Sequence, residues 1–531
     1  MTEPNHPQKK EKSAQDLFLA IDQGTQSVRA MLFDAQGQLV AKSQQIITPY
    51  FSSHPNWAEQ HAGYFWDNLG KACQNLWHHH PELRDRVVAA ALTCQRATMV
   101  CLDAQREPLR PATIWLDSRR TDQYPVLPWW QRLAVRAVGL QHMMYQLQSK
   151  AECNWLAADF PEVWSKTAHF VQLSCYLTLK LTDQLVDAVP SQVGYVPFDH
   201  KRQDWAGASD IKWQALRVRR AQLPPLVQAS KPLGKISAAA AHATGIPEGL
   251  ILYAAGADKA CEVLACGALT PELACISYGT TATINTSNWR YVEPMAFLPA
   301  YPAALPHHYN SEIIVQRGYW MVNWFKREFA SHEVLRAEQQ GIAPELLFDE
   351  LLLQSPPGAM GLILQPFWNP GVKFPGPEAK GAVIGFGDVH TRAHLYRAII
   401  EGLAYALRQG KDSLESRNGQ RVTRLLVSGG GSQSDLIMQI TANIFGIPAE
   451  RIHTYEASGL GAAMNAAVGA GYFSDHASAV AAMSHSGQVF QPEAEHVHLY
   501  DRLYREVYTR MYGRLSGLYR SIRQITHYPK Y

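Results

Sequence analysis

Two short stretches of this chain follow the same plan, and few folds use that plan twice. Residues 19–34 read LAIDQGTQSVRAMLFD, and residues 273–287 read LACISYGTTATINTS. Each is an apolar run, a bend carrying Gly-Thr, and a second strand-like run. The gap between the runs is too short to hold a helix, so each stretch predicts a β-hairpin or meander and not a βα unit. In the first stretch a further turn signal, DAQGQ, leads into a third strand, LVAKSQQII. Residues 60–80 set Phe65, Leu69, Cys73 and Leu76 at helical spacing, and VVAAALTC at 87–94 reads as a buried strand. The later half adds RLLVSGGGSQSDLIMQITANIFGIP, an apolar strand, a glycine run and an amphipathic helix. The repeated grammar, about 255 residues apart, predicts an internally duplicated α/β chain with a mixed sheet and helices in each half. The boundary is expected near 255–275, giving domains at 17–270 and 271–531 after a loose tail at 1–16.

Composition narrows the classes. A chain of 531 residues is too long for one ordinary core. Its 47% hydrophobic and 10% aromatic content suits a packed globular protein. The net charge of +3 comes with no basic block, which argues against a nucleic-acid partner. KKEK at 9–12 reads as part of a solvated tail. The polar start has no apolar core of a secretory signal, and no stretch is apolar enough to span a membrane. Eight cysteines form no CxxC, which suits buried, reduced thiols and a cytoplasmic protein. His78, His79 and His80 are consecutive and point different ways on a helix, a poor metal site. Tyr500, Tyr504, Tyr508 and Tyr512 stand four apart on an expected helix at 498–525, a packing stripe.

The bends suggest phosphate chemistry. A tight turn with glycine exposes backbone N–H groups that cradle phosphate oxygens. Hydroxyls of Thr and Ser add donors, and Arg29 adds a full charge. Asp22 would be a poor direct neighbour of phosphate, but it makes sense with Mg²⁺ between them. Two such turns facing each other would clamp a polyphosphate. The third element, SGGGSQSD, would let a nucleotide approach a helix start closely. It is not a GxxxxGK[ST] loop. Taken singly these signals are weak; their order and spacing carry the weight.

In that order they resemble the FGGY family of carbohydrate kinases, which have the actin-like (ribonuclease H-like) ATPase fold of two duplicated domains with a cleft between them. The resemblance runs over roughly 17–519. It rests on DQGTQSVR, AGADKACEVLACGA, SYGTTATIN, and SGGGSQSDLIMQITANIFGIP with EASGLGAAMNAAVGAG; HTRAHLYRAIIEGLAYALRQ matches the family's long helix before the nucleotide segment. It implies transfer of the ATP γ-phosphoryl group to a sugar or polyol hydroxyl, a reaction of positioning and charge neutralisation. It implies that Asp22 holds Mg²⁺, and that Thr25, Gln26, Ser27 and Arg29 meet ATP. Gly279 and Thr280 would form the opposing phosphate turn, and Gly430, Gly431 and Ser434 would line the adenosine side. From spacing alone Asp258 reads as a helix N-cap; the resemblance assigns it the catalytic base. Domain closure on the ligands and a homodimer are further expectations by analogy.

The acceptor segments are LTCQRATMVCLD and ATIWLDSRRT. They look most like those of the glycerol kinase branch, where a Gln-Arg-Glu-Thr run and a Trp wall hold glycerol. This chain has Gln95, Arg96, Ala97 and Thr98, so the carboxylate is replaced by a methyl. A site that loses such a partner forfeits roughly 1–3 kcal/mol, and the smaller side chain makes room. The expected substrate is therefore a ketose or a longer polyol, with glycerol as the alternative, and Arg96, Trp115 and Asp258 as the acceptor residues. PFWNPGVKFPGPEAKG at 366–381 resembles the family's loop along the cleft, whereas Trp320 and Trp324 read as core. A non-catalytic actin-fold ATPase would need a substrate-binding domain or long lid, and a sugar sensor would be expected to lose Asp22 or Asp258.

Overall fold

The computed structural model describes residues 13, 15–371 and 374–528. The expected tail therefore lies outside the described residues apart from Ser13, Gln15 and Asp16, as do residues 372 and 373 of the loop at 366–381. The chain forms two compact units. Unit 1 comprises Met1–Ala265, Pro302–His307 and Glu456–Ser484; unit 2 comprises Cys266–Tyr301, His308–Tyr455 and His485–Tyr531. The region 271–531 is thus shared between them, because Glu456–Ser484 packs with unit 1.

In unit 1 the first apolar run is β1 (Leu17–Gln23), with all seven residues buried. It turns into β2 (Ser27–Phe33), which pairs with β3 (Leu39–Ile46). Both faces of β1 are covered, which is why its sequence is continuously apolar and not alternating. Helix α1 (Ala62–His79) follows, then β4 (Val87–Cys94). Much later come β5 (Pro232–Lys235), β6 (Ile251–Ala257) and helix α2 (Asp258–Ala265). The sheet order is β3-β2-β1-β4-β6-β5, with β1, β4 and β6 parallel and the other pairs antiparallel.

Unit 2 repeats this topology. Its strands are β7 (Leu273–Tyr278), β8 (Ala282–Asn288), β9 (Tyr309–Val315), β10 (Arg424–Ser428), β11 (Ala449–Ile452) and β12 (Ser486–Phe490). Apart from a two-residue edge strand the order is β9-β8-β7-β10-β11-β12, with β7, β10 and β11 parallel and the flanking pairs antiparallel. The duplication seen in the two bends therefore extends to the sense of every strand pair. The long helix α3 (Arg392–Asn418) and helix α4 (Asp435–Phe445) cover this sheet.

Helix α5 (Ala457–Gly469) belongs to unit 1 and lies on α2 so closely that a Cβ at Gly461 would sit 1.9 Å from the Cys261 carbonyl oxygen. Only glycine permits that approach. The expected C-terminal helix is wound in three parts: an α-helix at Ala494–Arg502, a π-helix at Leu503–Tyr508 and an α-helix at Thr509–Thr526. The wider π turn takes up the drift that a four-residue spacing accumulates on an α-helix. Tyr500, Tyr504 and Tyr508 are accordingly all buried in the unit 2 core. Trp320 and Trp324 pack against the same core. All eight cysteines are buried and none is in a disulfide. Among the described residues no helix is long and apolar enough to cross a membrane.

Candidate active site

The unit 1 candidates gather where β1, β4 and β6 end. These three strands are parallel neighbours, so their carboxyl ends share one edge of the sheet, the usual place for ligands in such folds. Asp22 is the penultimate residue of β1. Gln95 and Arg96 follow β4, and Asp258 follows β6 as the first residue of α2.

The hairpin sets the surroundings of Asp22. Its register pairs Asp22 with Arg29, and the Arg29 Nη1 lies 2.9 Å from Asp22 Oδ2. Arg29 also faces Glu456, at 3.5 Å, which Lys42 reaches at 2.8 Å. Asp22 is buried, and burial pushes its carboxyl up to about 6; Arg29 opposes the shift, and the charges of Asp258 and Glu456 add to it. The buried carboxylate is short of positive charge even with its arginine in place. The bend itself is closed by the Gly24 N–H, which donates to the Ser27 carbonyl at 3.0 Å. Gln26 is exposed, whereas Ser27 is buried at the start of β2. Thr25 is held from two sides: its hydroxyl donates to Gln95 Oε1 at 2.7 Å and accepts from Trp115 Nε1 at 3.0 Å.

Asp258 and Arg96 come together, with Nε 4.0 Å from Oδ1. Asp258 Oδ1 also accepts the Lys259 N–H at 2.8 Å. A third of the Asp258 side chain stays exposed. Burial raises its carboxyl above the ordinary range, against the pull of Arg96 and Lys259. Lys259 is in turn paired with Glu262 at 2.7 Å. Ala97 adopts a left-handed φ of 50° and faces Gly194, whose Cβ, if present, would lie 3.8 Å from that of Ala97. No carboxylate stands at this position, and two small residues meet there.

Unit 2 repeats the arrangement at the ends of its parallel strands β7 and β10. After β7 the turn Gly279–Thr280 is pinned by the next segment: Tyr319 N–H donates to the Gly279 carbonyl at 3.0 Å and Trp320 N–H to that of Thr280 at 3.3 Å. The Tyr319 ring lies against Tyr278, with centroids 4.8 Å apart, and directly against Gly431, where a Cβ would meet the ring at 2.3 Å. One side chain thus joins the phosphate-type turn to the glycine run. That run is a 3₁₀ turn, Gly430–Gln433, and α4 starts only after it. Ser434 is the N-cap of α4: its hydroxyl accepts from the Ile437 N–H at 3.2 Å and donates to Asp349 at 2.6 Å.

Several of these partners escape sequence reasoning. Gln95, Lys259 and Glu262 lie inside the quoted motifs but carry no signal of their own. Tyr319 and Asp349 sit in segments with no motif, and Glu456 meets Arg29 across more than four hundred residues.

Comparison with known proteins agrees with the two-unit duplication. The chain is 27% identical over 494 residues to an uncharacterised sugar kinase of Escherichia coli K12, covering 92% of each. It is 26% identical over 507 residues to the xylulose kinase of Lactococcus lactis, covering 94% of this chain and 97% of that one. In fold it is similar to the crystal structure of a ligand-bound xylulose kinase from Lactobacillus acidophilus, with a TM-score of 0.79 at 20% identity over 95% of this chain and 99% of the other. Residues 17–265 match the N-terminal domain, and residues 274–470 the C-terminal domain, of one family, so the chain belongs to the FGGY family of carbohydrate kinases, phosphotransferases with an alcohol group as acceptor.

Proposed function

We propose that the protein transfers the γ-phosphoryl group of ATP to a hydroxyl of a ketose or of a polyol longer than glycerol, with Asp258 as the general base. The observation that carries this reading is the Asp258–Arg96 pair at the carboxyl ends of the parallel strands, partly exposed and without a carboxylate at Ala97. Asp258 accepts the proton of the attacking hydroxyl while the acceptor oxygen bonds to the γ-phosphorus and the bond to the ADP oxygen breaks. Burial raises the basicity of Asp258, and the guanidinium of Arg96 opposes that rise. Arg96 and Trp115 form the acceptor side. Ala97 sets a methyl group where a carboxylate could grip glycerol, which fits a relative described as a xylulose kinase.

Within the bend closed by the Gly24 N–H, the backbone N–H groups of Thr25 and Gln26 serve the phosphates, and Arg29 is held beside it by Asp22 and Glu456. In unit 2, Gly279 and Thr280 form the second phosphate turn, and Gly430 and Gly431 line the nucleoside side. The Ser434 hydroxyl is spent on Asp349 and on capping α4. A Mg²⁺ ion fits Asp22, a buried carboxylate that Arg29 only partly offsets against burial and the charges of Asp258 and Glu456. Among the described residues no group of three or more His, Cys, Asp or Glu could hold a metal, so the ion would draw most ligands from water and phosphate. When bound it would supply neutralising charge for the phosphates. Eight buried cysteines outside any disulfide suit a reducing compartment, and we place the enzyme in the cytoplasm.

The test is an ATP-consumption screen with Mg²⁺ against glycerol, erythritol, pentitols, pentuloses and hexuloses, with Asp258→Ala beside the wild type. Turnover on a ketose or longer polyol that the variant loses is the expected result. Preferred turnover on glycerol would overturn the argument from Ala97. Full activity in Asp258→Ala would overturn the assignment of the base.

A further inference from the structure

We propose that the Thr25 hydroxyl is a positioning group that fastens the phosphate turn to the acceptor wall and so keeps phosphoryl transfer coupled to the acceptor. The proposal rests on the kinase reading above and extends it to how the two halves of the unit 1 site are kept in register.

A hydroxyl has one proton and two lone pairs. As placed, Gln95 presents Oε1 to Thr25 and takes that proton at 2.7 Å, while the donor-only indole of Trp115 occupies one lone pair at 3.0 Å. The hydroxyl has no proton left for a phosphate oxygen. Contact with phosphate from this residue must come from its backbone N–H, and the side chain serves another end.

Both bonds are non-local, spanning 70 and 90 residues. Gln95 is a firm anchor: it is 5% exposed, and its N–H donates to the Gln23 carbonyl at 2.9 Å. It immediately precedes Arg96, which faces Asp258. Trp115 is the opposite case. It is 43% exposed, and the bond to Thr25 is what ties its indole N–H. Thr25 therefore connects a buried strand end, an exposed aromatic wall and the turn itself.

Removing the hydroxyl lets Trp115 and the turn move independently. An acceptor resting on Trp115 is then poorly placed for the phosphate, and water replaces it more often. In that case the water oxygen bonds to the γ-phosphorus as the bond to the ADP oxygen breaks, and the water proton is lost to Asp258 or solvent. ADP and inorganic phosphate form without sugar phosphate.

The test compares wild type with Thr25→Val, which keeps the shape but removes both bonds, Thr25→Ser, which keeps the hydroxyl, and Trp115→Phe, which keeps a ring without the N–H. ADP and phosphorylated acceptor are measured separately, with the best acceptor from the screen. Acceptor binding without nucleotide is measured by calorimetry. The expected result is that Thr25→Val and Trp115→Phe weaken acceptor binding about tenfold, change the KM for ATP less, and make ADP in excess of product, while Thr25→Ser recovers most of the acceptor affinity and coupling that Thr25→Val loses. Tight coupling and unchanged acceptor affinity in both Thr25→Val and Trp115→Phe would overturn the proposal. Trp115 is at the surface, so its variant keeps the test decisive if Thr25→Val folds poorly. Wild type that phosphorylates no acceptor would overturn the kinase reading itself, a different outcome from intact coupling in the variants.

Discussion

Adding one methyl group at Gly431 should damage the enzyme far more than adding one at Gly430. At Gly431 the new Cβ would lie 2.3 Å from Cε1 and 2.4 Å from Cζ of Tyr319. Ordinary contact begins near 3.4 Å, so the ring must move by about 1 Å. It has little freedom to do so, because the Tyr278 ring lies tilted against it and its own backbone N–H is bonded to Gly279. Overpacking of this kind costs about 1–3 kcal/mol of stability. The displacement also passes to the phosphate-type turn, where about 1 Å of misplacement is worth roughly a hundredfold in kcat. At Gly430 a Cβ would meet nothing within 4 Å, so Gly430→Ala should fold as wild type. The assay is thermal unfolding together with kcat and KM for ATP. Pairing Gly431→Ala with Tyr319→Leu should recover part of the lost stability, because the clashing ring edge is gone. Equal thermal midpoints for the two alanine variants, or a double variant no more stable than Gly431→Ala, would refute the packing argument.

Three further outcomes are expected. Asp22 titrates near 6 in the folded protein against an ordinary 3.8, so its contribution to stability is fully present below the lower value and is lost as pH rises through the upper one. Asp22 should account for a fall of about 3 kcal/mol between those values. Asp187 and Glu152, which burial also raises, to about 7, lose stability over an overlapping range, so the check is that urea unfolding of Asp22→Asn falls less than that of wild type by this amount. Ala97→Glu should shift acceptor preference toward glycerol at some cost in thermal midpoint, since the longer side chain must fit beside Gly194 and Gln172; unchanged preference in the acceptor screen would remove Ala97 from the specificity argument. All eight thiols are buried, so a thiol reagent should label none in the native state and eight after denaturation, read as absorbance of the released chromophore.

The hairpins and buried strands are legible in the sequence because burial on both faces leaves continuous apolar runs, and glycine marks the bends. Asp258 is legible as the junction of a strand and a helix. What stays hidden is whatever depends on a distant partner. Nothing near Thr25 announces Trp115, and nothing near Arg29 announces Glu456. Tyr319 reads as an ordinary aromatic until Gly431 is seen against its ring. The π turn in the C-terminal helix is also silent, since a four-residue tyrosine spacing fits an unbroken α-helix nearly as well.

The membership of Glu456–Ser484 in unit 1 bears on how the polypeptide reaches its native state as it leaves the ribosome. Strands β1, β4 and β6 emerge early, but the helix that seats Gly461 on Cys261 and the carboxylate that meets Arg29 are made roughly ten to forty seconds after Ala265. Until then the surface of α2 that receives Gly461 stands open to solvent. Unit 1 is thus completed by late-made sequence, and a nascent fragment halted before Glu456 lacks a layer of that unit along with its downstream partner. Such a fragment should be handled by chaperones as an unfinished protein, even though it already carries Asp22, Arg96 and Asp258.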